Sequence, residues 1–262
     1  MDQQRLRLLS YNIQAGLSTS RYSHYLTRSW QHVVPVPSRM ENLDRIAQVI
    51  QDYEIVALQE VDTGSLRSGF VNQIRYLSEL GRFQYVFDQS NRRIGIISQH
   101  SNAVLSRIGP SCIEEHKLPG LIPGRGVLRV SLGEGQDALH IFIVHLALVK
   151  RGRLRQIYFL ADLIKGYRHV IVMGDLNCRS DSSEMRVLLQ LARLCEPAPG
   201  LHTFPSWRPN RQLDHILVSS SIKVEKVSVL DLTFSDHRPI AMQVIIPKQV
   251  SKLIWAATAR VA

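Results

Sequence analysis

Cysteine is scarce in this chain: Cys112, Cys178 and Cys195 are the only three in 262 residues, and no two form a C-x-x-C pair. That excludes a disulfide-stapled scaffold and a thiolate zinc site as organising devices, and it favours a reducing compartment. Internal repeats and low-complexity tracts are also missing. The apolar tail Leu253-Ile254-Trp255-Ala256-Ala257 is far shorter than the roughly 20 residues that span a bilayer. At the other end, Met1-Asp2-Gln3-Gln4-Arg5 runs straight into a strand-like segment with no apolar signal stretch, so a soluble, cytoplasmic protein is expected. Lysine is sparse beside arginine, although the chain carries a net charge of +10.

What is present is ordinary globular material, 45% hydrophobic and 21% charged. The length suits one large sandwich or barrel, so a single domain over 1–262 is expected, with a core at about 6–246 and a tail at 247–262. A monomer without an obligate protein partner is the simplest reading. The arginine bias suits phosphate oxygens, which a guanidinium grips with two prongs and an ammonium does not. Nucleic acid is the favoured anionic partner, and an anionic phospholipid surface attracts the same charge. Genomic base composition inflates arginine too, so charge alone names no substrate.

Along the chain, Leu6 to Ile13 reads as a buried strand ending near Tyr11-Asn12. A polar and aromatic loop follows, with Tyr22, Tyr25, Leu26, Trp30 and Pro35-Val36-Pro37. Ser38 then stands three residues before Glu41, a capping-box spacing, and Met40, Leu43, Ile46, Ala47 and Ile50 recur at helical intervals. Ile55 to Val61 reads as a strand, and 70–81 as a helix. Strands are also expected at Phe83–Phe87, Ala103–Leu105, Val127–Leu132, Leu139–Val144, His169–Met173, Ile216–Val218, Val224–Leu230 and Ile240–Ile246. Helices are expected from Arg153 to about Lys165 and from near Asp181, with Glu184 as its third-position acid. The halves share an element order, which suggests two sheets face to face with helices outside.

The polar residues of interest stand at predicted strand ends. Cleaving a phosphate ester requires neutralised phosphate charge, an activated water and a stabilised leaving oxygen. Glu60 closes the second strand as a carboxylate able to bind a hard cation, and Asn12 closes the first as a neighbouring oxygen donor. Gly174-Asp175-Leu176-Asn177 ends a nearly continuous apolar strand with a carboxylate and an amide two residues apart, although the same residues make ordinary Asx turns. Asp236-His237 pairs an imidazole with a carboxylate ahead of a strand, and Asp214 is a second acid able to orient that imidazole. Taken singly, each could be a turn or capping residue. Lys150, Arg151, Arg153 and Arg155 follow His145 closely, and Arg208 and Arg211 precede Asp214 beside Trp207. They read either as cleft-rim cations or as solvated loops.

Seven short segments together resemble the endonuclease/exonuclease/phosphatase superfamily, in its order and across nearly the whole chain. They are Ser10-Tyr11-Asn12-Ile13, Leu58-Gln59-Glu60-Val61, Ser101 to Arg107, Val144-His145-Leu146, Gly174 to Asn177, Leu213 to Leu217 and Ser235 to Pro239. The resemblance implies a four-layer α/β/β/α sandwich like that of deoxyribonuclease I and a Mg²⁺ or Mn²⁺ cofactor. It assigns Asn12, Glu60 and Asp236 to the metal, Asp175 and Asn177 to the attacking water and phosphate, and His237 with Asp214 to proton transfer or phosphate binding. It assigns His145 to the phosphate and leaving oxygen, and Asn102 to the cleft. Arg153, Arg208 and Arg211 are candidate substrate contacts from their positions. Whether His237 or Asp175 takes the proton stays open.

Departures from the DNA-repair branch speak against abasic-site cleavage. Glu60-Val61-Asp62 replaces Glu-Thr-Lys, Gln212-Leu213-Asp214-His215 replaces Arg-Ile-Asp-Tyr, and only Asn102 stands near the central motif. The expected activity is therefore a metal-dependent phosphodiesterase or nuclease. A phospholipid or small-molecule phosphodiesterase or phosphatase is the alternative, with 17–37 as an apolar loop at the cleft. A catalytically dead scaffold would lack one of the site positions, and none is missing.

Overall fold

The computed structural model describes residues 4–17, 38–94, 98–120, 124–248 and 250–251. Most of the aromatic loop expected at 17–37 and the apolar tail lie outside these residues. In chain order the elements are β1 (Arg5–Asn12), α1 (Ser38–Ile50), β2 (Ile55–Val61), α2 (Gln73–Gly81), β3 (Tyr85–Ile94), β4 (Ser98–Ser106), β5 (Cys112–Lys117), β6 (Gly126–Leu132) and β7 (Leu139–His145). They continue with α3 (Lys150–Ile164), β8 (His169–Asp175), α4 (Ser183–Ala192), β9 (Leu194–Cys195), β10 (Asp214–Ser219), β11 (Lys223–Val229) and β12 (Ile240–Ile245).

The strands form two six-stranded mixed sheets, ordered β11-β12-β1-β2-β4-β3 and β5-β6-β7-β8-β10-β9. Period-two alternation explains why they stack with helices outside. Leu6, Leu8, Ile55 and Ala57 of the first sheet meet Ile141, Ile143, Ile171 and Met173 of the second in a shared core. Their neighbours Leu9, Tyr11, Val56 and Leu58 point the other way and pack on Leu43, Ile46, Ile50 and Leu77 of α1 and α2. Phe142, Val144 and Val172 do the same against Ile157, Leu160, Met185 and Leu188 of α3 and α4. Strands buried on both faces read as nearly continuous apolar runs, and each fully buried Leu or Ile contributes about 1.5–3 kcal/mol. The expected sandwich is the observed one.

Element limits differ where polar sequence hides a strand. β3 and β4 run to Ile94 and from Ser98, well beyond the apolar cores expected at 83–87 and 103–105, because their pairing continues from Tyr85↔Ser106 to Ile94↔Ser98. The unforeseen β5 is an edge strand, and its mostly polar sequence CIEEHK blunts that edge. Helix α4 starts at Ser183, close to the expected start near Asp181, and its cap is Ser182, whose side chain accepts from the Met185 N–H. No described helix is long and apolar enough to cross a membrane.

Two parallel pairs position the site. β1 and β2 run together to Asn12↔Gln59, and β7 and β8 run together to His145↔Asp175. β1 and β2 also contact β8 across the sandwich, so the carboxyl ends of both pairs meet along one edge.

Candidate active site

The first sheet delivers Glu60 through a bulge. Register with β4 passes from Leu58↔Ala103 to Val61↔Ser101, so Gln59 and Glu60 together oppose Asn102. Glu60 consequently sits at φ 57°, a strained value for a residue with a Cβ, and such strain gathers at functional sites. Its side chain stays 29% exposed. Asn12 makes an Asx turn, its Oδ1 accepting from the Gln14 N–H at 3.2 Å. Its Nδ2 therefore donates towards Glu60 Oε1 at 3.4 Å and Asp175 Oδ2 at 3.2 Å, joining the two sheets. Asn102 is fully buried, donates to the Gly126 carbonyl and has an Oδ1 without a hydrogen-bond partner among the described residues.

The second sheet delivers the remainder. Gly174 has φ +147° and lies so close to β7 that an added Cβ would come within 1.9 Å of the Val144 carbonyl oxygen; only glycine allows this approach one residue before Asp175. His145, opposite Asp175 in register, brings Nε2 to 3.3 Å from Asp175 Oδ2 and 3.9 Å from Glu60 Oε1. Asn177, at φ 51°, donates its backbone N–H to Asp175 Oδ1 and its side-chain amide to the Leu146 carbonyl.

Asp214 opens β10 opposite Asp175 and accepts from His237 Nδ1 at 2.7 Å, while His237 Nε2 is 3.9 Å from Asp175 Oδ2. Thr203 fastens this corner: its Oγ1 accepts from the Leu213 and Asp214 N–H groups, and its carbonyl accepts from the Arg238 N–H. Asn42 of α1 braces the site's approach by donating to the carbonyls of Gly16 and Phe234.

The electrostatics follow from burial opposed by opposite charge. Burial alone would push the Asp175 carboxyl up, but His237's charge and the hydrogen bond from His145 outweigh it and hold the group well below the usual carboxylate range. Burial would likewise lower His237, yet the carboxylates of Asp214 and Asp175 raise it well above the ordinary imidazole value. Burial, then the charges of Asp236 and Asp214, keep the Tyr11 phenol un-ionised. Asp214 Oδ1 is buried without a hydrogen-bond partner among the described residues. Asp175, Asp214 and His237 offer three potential ligand atoms within 4.8 Å of one another. With Glu60 and Asp236, four carboxylates lie in this region beside the imidazoles of His145 and His237, a set rich in the hard oxygen atoms that a divalent cation takes.

The structure thus gathers Asn12, Glu60, His145, Asp175, Asn177, Asp214 and His237, with Asn102 across the bulge and Asp236 beside His237. The arginines divide. Arg208 and Arg211 are exposed, and Arg211 lies 5.0 Å from the centre of the Phe204 ring. Arg153 is buried, with Nη2 on Glu184 Oε1 at 2.7 Å and Nη1 on the carbonyls of Ala147 and Leu148. Its terminal nitrogens serve the protein's own loops, so its visible role is to brace the loop after His145.

Glu184, expected only as a capping acid, is the partner that makes this possible. Burial opposes its charge, but hydrogen bonds from Arg153 and Ser183 bring it from 4.5 down to about 2. A carboxyl lowered on folding stabilises the fold fully above its unfolded value and loses that contribution as pH falls towards 2. Acid unfolding of the wild type should therefore steepen below pH ~4.5, and Glu184→Gln should flatten this step in thermal melts recorded against pH. An unchanged profile would rule out the pair as an acid-labile brace.

Sequence reasoning also passed over Phe204, whose ring packs on His237 at 4.8 Å between centroids. Its only sequence signal is its place in the turn-rich segment ahead of Asp214.

The sequence profile described as "Endonuclease/Exonuclease/phosphatase family" matches residues 9–237. None of the curated proteins compared matches the chain in sequence. Solved structures share the fold at low identity. An endonuclease/exonuclease/phosphatase from Beutenbergia cavernae superposes with a TM-score of 0.73 at 19% identity, covering 92% of this chain and 72% of its own. A mannosyl-6-phosphatase from Bacteroides thetaiotaomicron gives 0.66 at 18%, covering 92% and 99%. The human Nocturnin catalytic domain gives 0.65 at 18%, covering 92% and 93%. These likenesses establish the fold, and the profile match, spanning both sheets and every strand end that brings a side chain to the site, establishes that the chain belongs to the endonuclease/exonuclease/phosphatase family.

Proposed function

We propose that the chain is a divalent-metal-dependent phosphodiesterase that cleaves phosphate ester bonds with an activated water. The observation that carries this reading is Asp175, one buried carboxylate approached by Asn12 at 3.2 Å, His145 at 3.3 Å and His237 at 3.9 Å from separate parts of the chain. A carboxylate so framed orients a water rigidly, and the flanking imidazoles face an anionic phosphate.

The carboxylates gathered here, and the buried Asn102 Oδ1 that has no hydrogen-bond partner among the described residues, fit a cation-bearing site. Glu60 and Asn12, with Asp236, would hold Mg²⁺ or Mn²⁺; when bound, such an ion neutralises phosphate charge and acidifies water. Asp175 positions the attacking water with Asn177. Asp214 fixes the His237 ring through Nδ1, leaving Nε2 to take the water's proton or donate to a phosphoryl oxygen, and the raised pKa favours donation. His145 faces the leaving oxygen.

Nucleic acid remains the substrate suggested by the net charge of +10. A phosphate ester at a lipid surface is the second reading, favoured by Leu148 and Val149, which are 73% and 67% exposed just beyond His145.

Turnover of bis(p-nitrophenyl) phosphate tests the chemistry. Purified protein should cleave this diester with Mg²⁺ or Mn²⁺, EDTA should abolish cleavage, and added cation should restore it. Failure to hydrolyse this diester, nucleic acid and phospholipid with either metal would overturn the proposal.

A further inference from the structure

The loop joining β7 to α3 is built against the usual rules for a surface. Leu148 and Val149 are large apolar residues, 73% and 67% exposed. Yet they are not a loose excursion. The Ala147 N–H donates to Gln156 Oε1 at 2.7 Å, the carbonyls of Ala147 and Leu148 accept from Arg153 at 3.0 and 2.8 Å, and Glu184 anchors Arg153 from α4. A buried ion pair thus holds two apolar side chains in water, in a fixed position.

The helix that follows carries a second anomaly. Val149 is the N-cap of α3 and makes no side-chain capping bond, and the first turn holds no acidic residue. It holds Lys150, Arg151 and Arg153 instead, with Arg155 one turn on. Cations at the positive end of a helix dipole repel it, the reverse of the stabilising arrangement. Glu184 faces Arg153 at 2.7 Å and Lys150 at 3.6 Å, and the exposed Arg151 and Arg155 have no carboxylate partner among the described residues. An anionic partner relieves both the dipole and the repulsion.

The loop belongs to the site's own edge. Leu146 donates its N–H to the Asp175 carbonyl and accepts from Asn177 Nδ2, and His145 precedes it. A second apolar tip leaves the same edge: Phe70, 64% exposed at φ 63°, tops the loop after Glu60. That loop is closed at its base by Thr63↔Asn72 and knotted by Asp62, which accepts from Gly64, Ser65 and Ser68.

We propose that the Leu148–Val149 tip and the basic start of α3 form a docking surface for an anionic phospholipid bilayer, which brings the catalytic edge to phosphate esters held in that bilayer. Apolar side chains flanked by arginine match the two layers of such a surface, acyl boundary and anionic headgroups. A nucleic acid would use the cations and leave the apolar tip in water. The inference rests on the proposed phosphodiesterase only for the chemistry that follows docking.

The test is sedimentation of the full chain with vesicles of phosphatidylcholine alone and of phosphatidylcholine with phosphatidylglycerol, beside bis(p-nitrophenyl) phosphate turnover. The wild type should partition onto the anionic vesicles only. Leu148→Ser/Val149→Ser should lower partitioning at least about tenfold, and Arg151→Glu/Arg155→Glu at least about 25-fold. Both variants should melt no lower than the wild type, because serine at the N-cap and glutamate near the positive end of α3 each favour the helix, and both should keep diester turnover, since none of these four residues is placed in the catalytic machinery. Undiminished partitioning in either variant overturns the inference, as does wild-type protein that ignores anionic vesicles. Duplex DNA binding lost in the arginine variant, with no vesicle binding in the wild type, would assign the patch to nucleic acid instead. Absent diester turnover with intact vesicle binding would sink the proposed function and leave the docking surface standing.

Discussion

Exchanging His237 for alanine is expected to lower kcat on a simple phosphodiester by about three orders of magnitude, with a much smaller change in KM. The imidazole links the buried acid Asp214, at 2.7 Å, to Asp175, at 3.9 Å. A positioned acid or base contributes about 10²–10⁴ in rate, and a charged donor to a phosphoryl oxygen acts in the same range. The effect should fall on kcat because the charge matters most when negative charge develops in the transition state. Asp214→Asn should reproduce most of the loss, and the double variant should be little worse than His237→Ala, since the two side chains act as one unit. Steady-state kinetics at saturating Mg²⁺ measure this, with circular dichroism to confirm folding. A His237→Ala enzyme within tenfold of the wild type would remove His237 from the reaction.

Why some of the site residues could be picked out of the sequence, and others could not, has a physical reason. Strands buried on both faces must be apolar, so a carboxylate, amide or imidazole at the end of such a run stands out. Asn12, Glu60, His145 and Asp175 were visible in this way, and the sandwich was visible from the same runs. The bulge that turns Glu60 towards the second sheet was not, because it depends on the register of β2 against β4 and has no composition of its own. β5 and the far ends of β3 and β4 were hidden because strand pairing, not hydrophobic patterning, holds polar segments extended.

Arg153 shows the limit from the other side. Its place shortly after His145 suggested a substrate contact, but Glu184 lies 31 positions further along the chain, and their pairing at 2.7 Å exists only once α3 packs on α4. Local sequence cannot separate an arginine that reaches for phosphate from one that reaches for a distant glutamate. Phe204 is a parallel case: an aromatic ring in a loop carries no sign that it will cover His237.

The second large effect concerns the cation. Glu60→Gln should lower kcat/KM by at least about 10³-fold at fixed Mg²⁺, because several kcal/mol of charge stabilisation depend on the ion being held. Glutamine preserves size and leaves the backbone at φ 57° no more strained than glutamate does, so the fold should survive. Two places compete for the ion. The Asp175, Asp214 and His237 grouping is tight but buried, and His237 already uses Nδ1 on Asp214; a cation there would displace that hydrogen bond and meet a positively charged ring. Glu60, with its side chain 29% exposed, offers both an entry route and a hard carboxylate oxygen. Calorimetric titration with Mn²⁺ separates the two. If the ion belongs to the Glu60 edge, Glu60→Gln should weaken binding at least about tenfold, while Asp214→Asn should leave it nearly intact and still lose turnover. The reverse pattern, with Mn²⁺ affinity kept in Glu60→Gln and lost in Asp214→Asn, would move the ion into the histidine grouping and require a different source for the proton.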